Sequence, residues 1–133
     1  MLSRVASVAG YLVVKALCNE QRVLRALELW SFGAGPSRIA LETGLSKDQV
    51  RGYVQRVYER LQSYSRVVAV LKALIPLVKA LEPIVVNGVC RVCGAHVGEA
   101  YTALMHVRSR HRDLVEKHVF EILCELKKRV VKA

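Results

Sequence analysis

The sequence is poor in aromatic side chains and has no long uncharged hydrophobic run. Phenylalanine, tryptophan and tyrosine make up 6% of the 133 residues, although 53% are hydrophobic. The core must therefore consist of aliphatic side chains, which is typical of helical proteins. No apolar segment is long enough to cross a bilayer without a charge, and the N-terminus lacks the pattern of a cleaved signal peptide. We therefore expect a cytoplasmic protein that does not contact a membrane.

Acidic residues and cysteines are also scarce. Aspartate and glutamate number 11 against 21 lysines and arginines, which gives a formal net charge of +10. This excess predicts an anionic partner, nucleic acid above all, whereas the alternative is a basic surface that serves only solubility. Of the four cysteines, Cys18 and Cys124 lie within apolar helical patterns. A free thiol behaves there as a small hydrophobe, so we expect no disulfide framework and a reducing compartment.

The other two cysteines belong to the most specific pattern in the chain. The spacing C-x2-C-x12-H-x4-H is complete, with its four points at Cys90, Cys93, His106 and His111. Two thiolates from a tight turn and two imidazoles from one face of a helix supply the tetrahedral donor set of a structural Zn²⁺ site. The alternative is two buried thiols and two surface histidines in unrelated places. We predict one structural Zn²⁺ per chain.

This stretch resembles the two-cysteine two-histidine zinc fingers, in which a hairpin carries the cysteines and a helix carries the histidines. The resemblance implies a ββα unit. Nothing breaks the helical pattern after Ala100, so we predict that the finger helix continues to the end as one element of about 30 residues. Gly88, Val97 and Ala103 stand where the family usually has larger apolar residues. The finger therefore has a thin core and is expected to lean on the rest of the protein.

The side chains at the finger's base-reading positions do not favour DNA reading. In that family the positions correspond to Glu99, Tyr101, Thr102 and Met105 of this chain. Neither arginine nor asparagine is among them, so we favour a structural or interaction role for the finger. Three nearby arginines are predicted as nonspecific phosphate contacts: Arg108, Arg110 and Arg112. His96 and His118 are interpreted as non-ligands, because a tetrahedral site has no room for a fifth donor.

The first half of the chain contains a second pattern. Residues 36–43 predict a short helix with proline in its first turn, Gly44 ends it, and residues 46–64 predict a longer helix with serine as its N-cap. Two helices joined by Gly-Leu-Ser predict a helix-turn-helix. The segment resembles the helix-turn-helix of bacterial sigma-factor C-terminal regions and response-regulator output domains. In those domains a small residue, a turn glycine and a later apolar residue recur, and these positions are occupied here by Ala40, Gly44 and Val50.

This second resemblance implies a set of DNA contacts. Base edges in the major groove would be reached by five side chains: Lys47, Asp48, Gln49, Arg51 and Gln55. Phosphates would be reached by Ser37, Arg38 and Arg56. The alternative is a helical hairpin without DNA-binding function. No wing follows, because residues 65–81 predict an apolar helix, interrupted or kinked at Pro76, that is central to the domain or part of a subunit interface.

A heptad-like seam along the last predicted helix requires a packing partner. It extends from Leu104 to Val130, and Phe120 and Cys124 are expected to be core residues in it. The partner is the helix of residues 65–81 or the same helix of a second chain. Since proteins that read paired half-sites are commonly symmetric, we expect a homodimer.

Together these patterns predict a mainly α protein. Residues 1–82 form a multi-helix helix-turn-helix domain without a wing, and residues 83–133 form a ββα zinc finger with an extended C-terminal helix. The predicted function is sequence-specific binding of double-stranded DNA in transcriptional regulation. The alternative is a zinc-stabilised interaction or assembly module with nonspecific nucleic-acid affinity. The combination is similar to small regulators of archaea and their viruses. We expect no enzyme and no small-molecule substrate, because protein ligands fill all four metal positions.

Overall fold

The computed structural model describes the backbone of residues 2–132 and the side chains of residues 3–129. Over this range the chain is mainly helical, with a small antiparallel sheet of two strands. The elements in chain order are α1 Leu2–Leu17, α2 Gln21–Ser31, α3 Pro36–Thr43, α4 Lys47–Leu61, α5 Tyr64–Lys79, β1 Val85–Val86, β2 Val89–Cys90, α6 Tyr101–Arg110 and α7 Arg112–Lys132.

Helices α1 and α5 form the centre of the main core. Helix α1 packs against α2, α4, α5, α6 and α7, and α5 packs against α1, α2, α4 and α7. Both helices bury aliphatic side chains, among them Leu12 and Leu17 of α1 and Leu71 and Leu74 of α5. Of the two predicted effects of Pro76, an interruption of α5 is wrong, since the helix continues through that residue to Lys79, and a kink stays a prediction. The apolar composition of α5 is thus explained by its central position.

Helices α3 and α4 are joined by a tight turn of three residues. Gly44 adopts a φ of 77° and its N–H donates to the carbonyl of Ala40 at 2.9 Å, so a residue tolerant of positive φ ends α3. Ser46 begins α4 through a capping box, in which Ser46 Oγ accepts from the Gln49 N–H and Gln49 Oε1 accepts from the Ser46 N–H. Leu45 between them is buried against a second small core.

The predicted single helix from Ala100 to the chain end is wrong. Ala100 precedes α6 with a φ of 55°, and the helical backbone is broken again at His111, which has φ −122° and ψ 34°. Regular helix resumes at Arg112 and α7 then packs against α1 and α5. Helix α6 packs against α1 as well, so both helices next to the break contact the same core.

The outer face of α7 differs from the prediction for its seam. Phe120, expected in the core, is 70% exposed in the single chain. The predicted seam residues Val115, Ile122 and Leu126 do pack against the main core, together with Val119, while Cys124 is half-buried. The side chain of Val130 lies outside the described residues. The expected intramolecular partner is correct in part, because α7 contacts α5 but also α1.

No helix in the described range is by itself both long and apolar enough to span a bilayer. Only α4 and α5 taken together reach such a length and composition, and they are bent by 103° with respect to each other.

Candidate metal centre

The two cysteines are positioned by a short hairpin. Strands β1 and β2 pair with Val85 opposite Cys90, and their turn uses Asn87 and Gly88, both at positive φ. The Cys90 N–H then donates to the Ala95 carbonyl at 2.9 Å, and the Gly94 N–H donates to the Cys90 carbonyl at 2.7 Å. These two backbone hydrogen bonds close a second tight turn, and Cys93 lies in that turn. It brings the two sulfur atoms to one side of the hairpin.

The two histidines reach the same point because the helix breaks at the second one. His111 comes five positions after His106, which in a continuous α-helix places their side chains about 140° apart around the axis. The expectation that both lie on one face of a regular helix is therefore wrong. With His111 in a non-helical conformation at the end of α6, the two rings meet edge to face with centroids 5.0 Å apart.

The four donor atoms form one compact cluster. Cys90 Sγ lies 3.3 Å from His111 Nε2, Cys93 Sγ lies 3.4 Å from His106 Nε2, and all four donors lie within 4.8 Å of one another. Metal–sulfur and metal–nitrogen bonds of about 2.3 and 2.1 Å at a tetrahedral angle place a sulfur and a nitrogen about 3.6 Å apart. The arrangement is consistent with one metal site formed by these residues.

The surroundings of His111 favour the neutral imidazole that a metal needs. Burial lowers the pKa of His111 below its ordinary value, and the neighbouring His106 lowers it further. A neutral imidazole is the form that binds a metal. Cys18, by contrast, is not among the clustered donors, and burial raises the pKa of its thiol to about 11. The thiol of Cys18 therefore stays protonated at neutral pH.

The metal centre is attached to the main core. Cys90, Val97, Ala103 and Val107 are buried in the same cluster as the apolar residues of α1 and α5. The backbone is joined as well, because the N–H of Ile84 donates to the carbonyl of Leu17 at the end of α1 at 2.9 Å. The hairpin and α6 thus lean on the helical body, as the thin apolar core of the finger predicted. The division into domains at residue 82 stays a prediction.

The residues predicted to contact DNA are all exposed: Ser37, Arg38, Lys47, Asp48, Gln49, Arg51, Gln55 and Arg56. Some have neighbours that limit what they can do. The Gln49 carbonyl oxygen is used in the cap of α4, Asp48 lies 3.4 Å from Arg51, and Arg38 lies 3.7 Å from Glu42. Arg56 is directed away from the others, since its guanidinium lies 5.6 Å from the centre of the Tyr53 ring.

The structure also describes the three arginines predicted as phosphate contacts of the finger and the two histidines interpreted as non-ligands. All three arginines are exposed, but Arg108 and Arg112 also line a recess between α1, α4, α6 and α7, which Arg110 does not. His96 is exposed and is not in the metal cluster. His118 is half-buried beside Glu121 on α7, with its Nδ1 3.8 Å from the carboxylate, and is not in the cluster either.

The sequence patterns do not predict this recess. It has a volume of about 830 Å³ and lies between α1, α4, α6 and α7. One signal was present: Tyr53, Arg56 and Arg60 recur at steps of three and four, which places them on one face of α4. The partners on α1 and α6 are distant in sequence, so only the fold brings them together.

Comparisons with known proteins give no match: no family model fits the sequence, and no curated protein or solved structure is similar to it. The interpretation of the chain therefore depends on its own residues and geometry.

Proposed function

We propose that this protein binds double-stranded DNA sequence-specifically and regulates transcription, with α3 and α4 acting as a helix-turn-helix. The observation that carries the proposal is the outer face of α4. Lys47, Arg51 and Gln55 follow one another at steps of four residues, and all three are exposed. Asp48 shares this face, whose centre is about 110° around the helix from the centre of the buried face of Val50, Val54 and Val57. Among the described residues, no element buries the side chains of this face.

The dimensions and chemistry of this face suit a major groove. An α-helix with its side chains is about 10–12 Å in diameter, and the major groove is about 12 Å wide, so the groove can admit α4. Arginine and glutamine are side chains that can each make two hydrogen bonds to guanine and adenine edges, respectively. Helix α3 supplies Ser37 and Arg38 for adjacent phosphates. The net charge of +10 adds the nonspecific attraction on which such binding depends.

The metal in this proposal is zinc, in a structural role. Two thiolates and two imidazoles are the donors of closed tetrahedral zinc sites, which leave no position for a reactive water. Zinc at this point would fasten the hairpin to the end of α6 and would hold α7 at the angle it needs to pack on α1. The finger's own exposed positions, Glu99, Tyr101, Thr102 and Met105, are poor base readers. We therefore assign DNA reading to α4 and bracing to the metal.

Selection of bound sequences from a random duplex pool tests the proposal. We expect one enriched sequence, which Arg51→Ala and Gln55→Ala bind more weakly by about tenfold each, at about 1.4 kcal/mol or more per base contact. Arg129→Ala is the control, because this arginine is exposed on α7 far along the chain from α4. If no sequence is enriched, or if all three variants lose affinity equally, α4 does not read DNA.

A second function is favoured by the exposed ring of Phe120. Phe120 is 70% exposed on α7, the helix whose apolar seam predicted a packing partner, and this exposure fits a protein–protein contact, either a homodimer or an assembly module. Light scattering of the parent and Phe120→Ser proteins distinguishes the cases. A dimer that dissociates in the variant supports a role for α7 in self-association, and DNA affinity that depends on salt but not on sequence favours the assembly module.

A further inference from the structure

The recess between α1, α4, α6 and α7 concentrates positive charge and tyrosine rings. We call it the arginine groove and define it by six of the side chains that line it: Tyr11, Tyr53, Arg56, Arg60, Tyr101 and Arg108. It lies on a different side of α4 from the outer face, because Tyr53, Arg56 and Arg60 are between about 100° and 180° around the helix from Arg51 and Gln55. The groove is therefore separate from the surface proposed to read DNA.

Three of the cations in the groove have no acidic partner. Within the part of the chain that the structure describes, no carboxylate lies within 4.0 Å of the guanidinium groups of Arg56, Arg60 or Arg108. The other two cations at the groove are paired: Lys15 lies 2.9 Å from Glu20, and Arg112 lies 3.0 Å from Glu116. Positive charges that line one recess repel one another, and a bound anion would offset this repulsion.

Arg60 is held in place before any ligand arrives. Its Nε donates to Ser7 Oγ at 3.2 Å and its Nη1 donates to the Arg56 carbonyl at 2.8 Å. The guanidinium carbon also lies 4.8 Å from the centre of the Tyr11 ring. A guanidinium fixed by hydrogen bonds and an aromatic face loses little side-chain entropy when an anion binds, so Arg60 is a preorganised anion ligand.

The hydroxyl of Tyr11 supplies a second, independent observation. Its oxygen is buried, and no acceptor among the described residues takes its proton. Burial raises the pKa of Tyr11, and Lys15 and Arg56, which can only donate to this oxygen, offset the rise in part, so the hydroxyl remains a neutral donor. A buried donor without an acceptor costs about 1–3 kcal/mol. An acceptor oxygen on a ligand in the groove would remove that cost.

The shape of the groove indicates the class of ligand. A volume of about 830 Å³ falls within the usual range of about 300–1,000 Å³ for small-molecule sites. Tyr101, 71% exposed at the start of α6, offers a free aromatic face at the rim. Phosphate oxygens suit the arginines and the Tyr11 hydroxyl, and a base suits Tyr101. We propose that the arginine groove binds a nucleotide, independently of DNA binding by α4, with its phosphates on Arg56, Arg60 and Arg108.

Calorimetric titration of the full chain tests this proposal. The probes are ATP, AMP, inorganic phosphate and adenosine, which has no phosphate. We expect saturable binding of ATP at one site per chain, and no binding of adenosine. Arg108→Ala should weaken ATP binding about tenfold or more, since a charge-assisted hydrogen bond is lost. Arg110→Ala is the matched control, because it is exposed on the same helix but does not line the groove.

A second variant distinguishes a loss of ATP binding from a loss of folding. Tyr11→Phe removes only the unpaired hydroxyl, so it should leave the melting temperature unchanged or raise it while weakening ATP binding several-fold. The proposal is overturned if ATP shows no saturable binding at millimolar concentration. It is also overturned if Arg108→Ala and Arg110→Ala behave alike, or if a single-stranded oligonucleotide binds with dependence on Arg108 whereas free nucleotides do not bind.

Discussion

At the scale of single residues, His111 has two roles: its non-helical backbone ends α6, and its side chain is one of the four clustered donors. The spacing of Cys90, Cys93, His106 and His111 was enough to find the cluster, because chance rarely produces all of its intervals. The same spacing also indicates a break in the helix, since two residues five positions apart cannot share a face of a regular helix. The break at His111 could therefore be predicted from the spacing, although the apolar pattern on both sides of His111 favours a continuous helix.

His106→Ala should remove the metal and destabilise the protein. His106 Nε2 lies 3.4 Å from Cys93 Sγ in the cluster, so its loss leaves three donors. We expect less than one metal ion per chain after dialysis and a decrease of about 3 kcal/mol or more in the free energy of unfolding in zinc-containing buffer. Atomic absorption and denaturant titration measure both.

His96→Ala is the matched control for that variant. His96 is exposed in the same hairpin region but lies outside the cluster of donors. The control should keep its metal and its stability. Equal metal content in the two variants would show that the four residues do not form the metal site.

At the scale of elements, local signals predicted most of the helices, and tertiary contacts decided the rest. The bounds of α1 and α3 agree with the apolar spacing, the proline and the glycine in their sequences. Helix α5 crosses Pro76 because packing against α1, α2 and α7 outweighs the lost hydrogen bond. The arginine groove was beyond prediction, since Tyr11, Tyr53 and Tyr101 belong to three helices that only the fold brings together.

Two glycine-to-alanine variants should have opposite effects on stability. A Cβ at Gly52 within α4 would meet no atom within 4 Å, so Gly52→Ala should stabilise the protein by about 1 kcal/mol through helix propensity. Gly44 has a φ of 77°, so Gly44→Ala should destabilise it by about 1 kcal/mol or more. Denaturant titration measures both changes. A stabilised Gly52→Ala protein with weakened DNA affinity would place the DNA backbone close to this residue, whereas destabilisation would contradict the open space around it.

At the scale of the whole molecule, the metal centre and the helical body share one core. The buried cluster includes Leu12 of α1, Leu71 of α5, Cys90 of β2 and Val107 of α6. Charge and composition predicted a basic helical protein, but they contain no information on which segments share a core. That depends on how α6 and α7 fold back onto α1, which follows from the backbone break at His111.

Removing the metal should therefore weaken the whole molecule. We expect that a chelator lowers the midpoint of a single thermal transition, followed by circular dichroism, because a shared core unfolds cooperatively. Two transitions, of which only the smaller responds to the chelator, would instead indicate two independent domains that meet near residue 82. The parent protein with zinc restored is the control for damage by the chelator.

The break at His111 has a mechanical consequence. The direction of α7 relative to α6 is set where one residue both ends a helix and lies 3.3 Å from Cys90 Sγ. A coordination bond at that point acts as a joint with a fixed angle, whereas two helices linked only by a loop can swing. A metal bound there would therefore add to the packing of α7 on α1 and α5 in fixing the direction of everything that α7 carries, including the exposed Phe120.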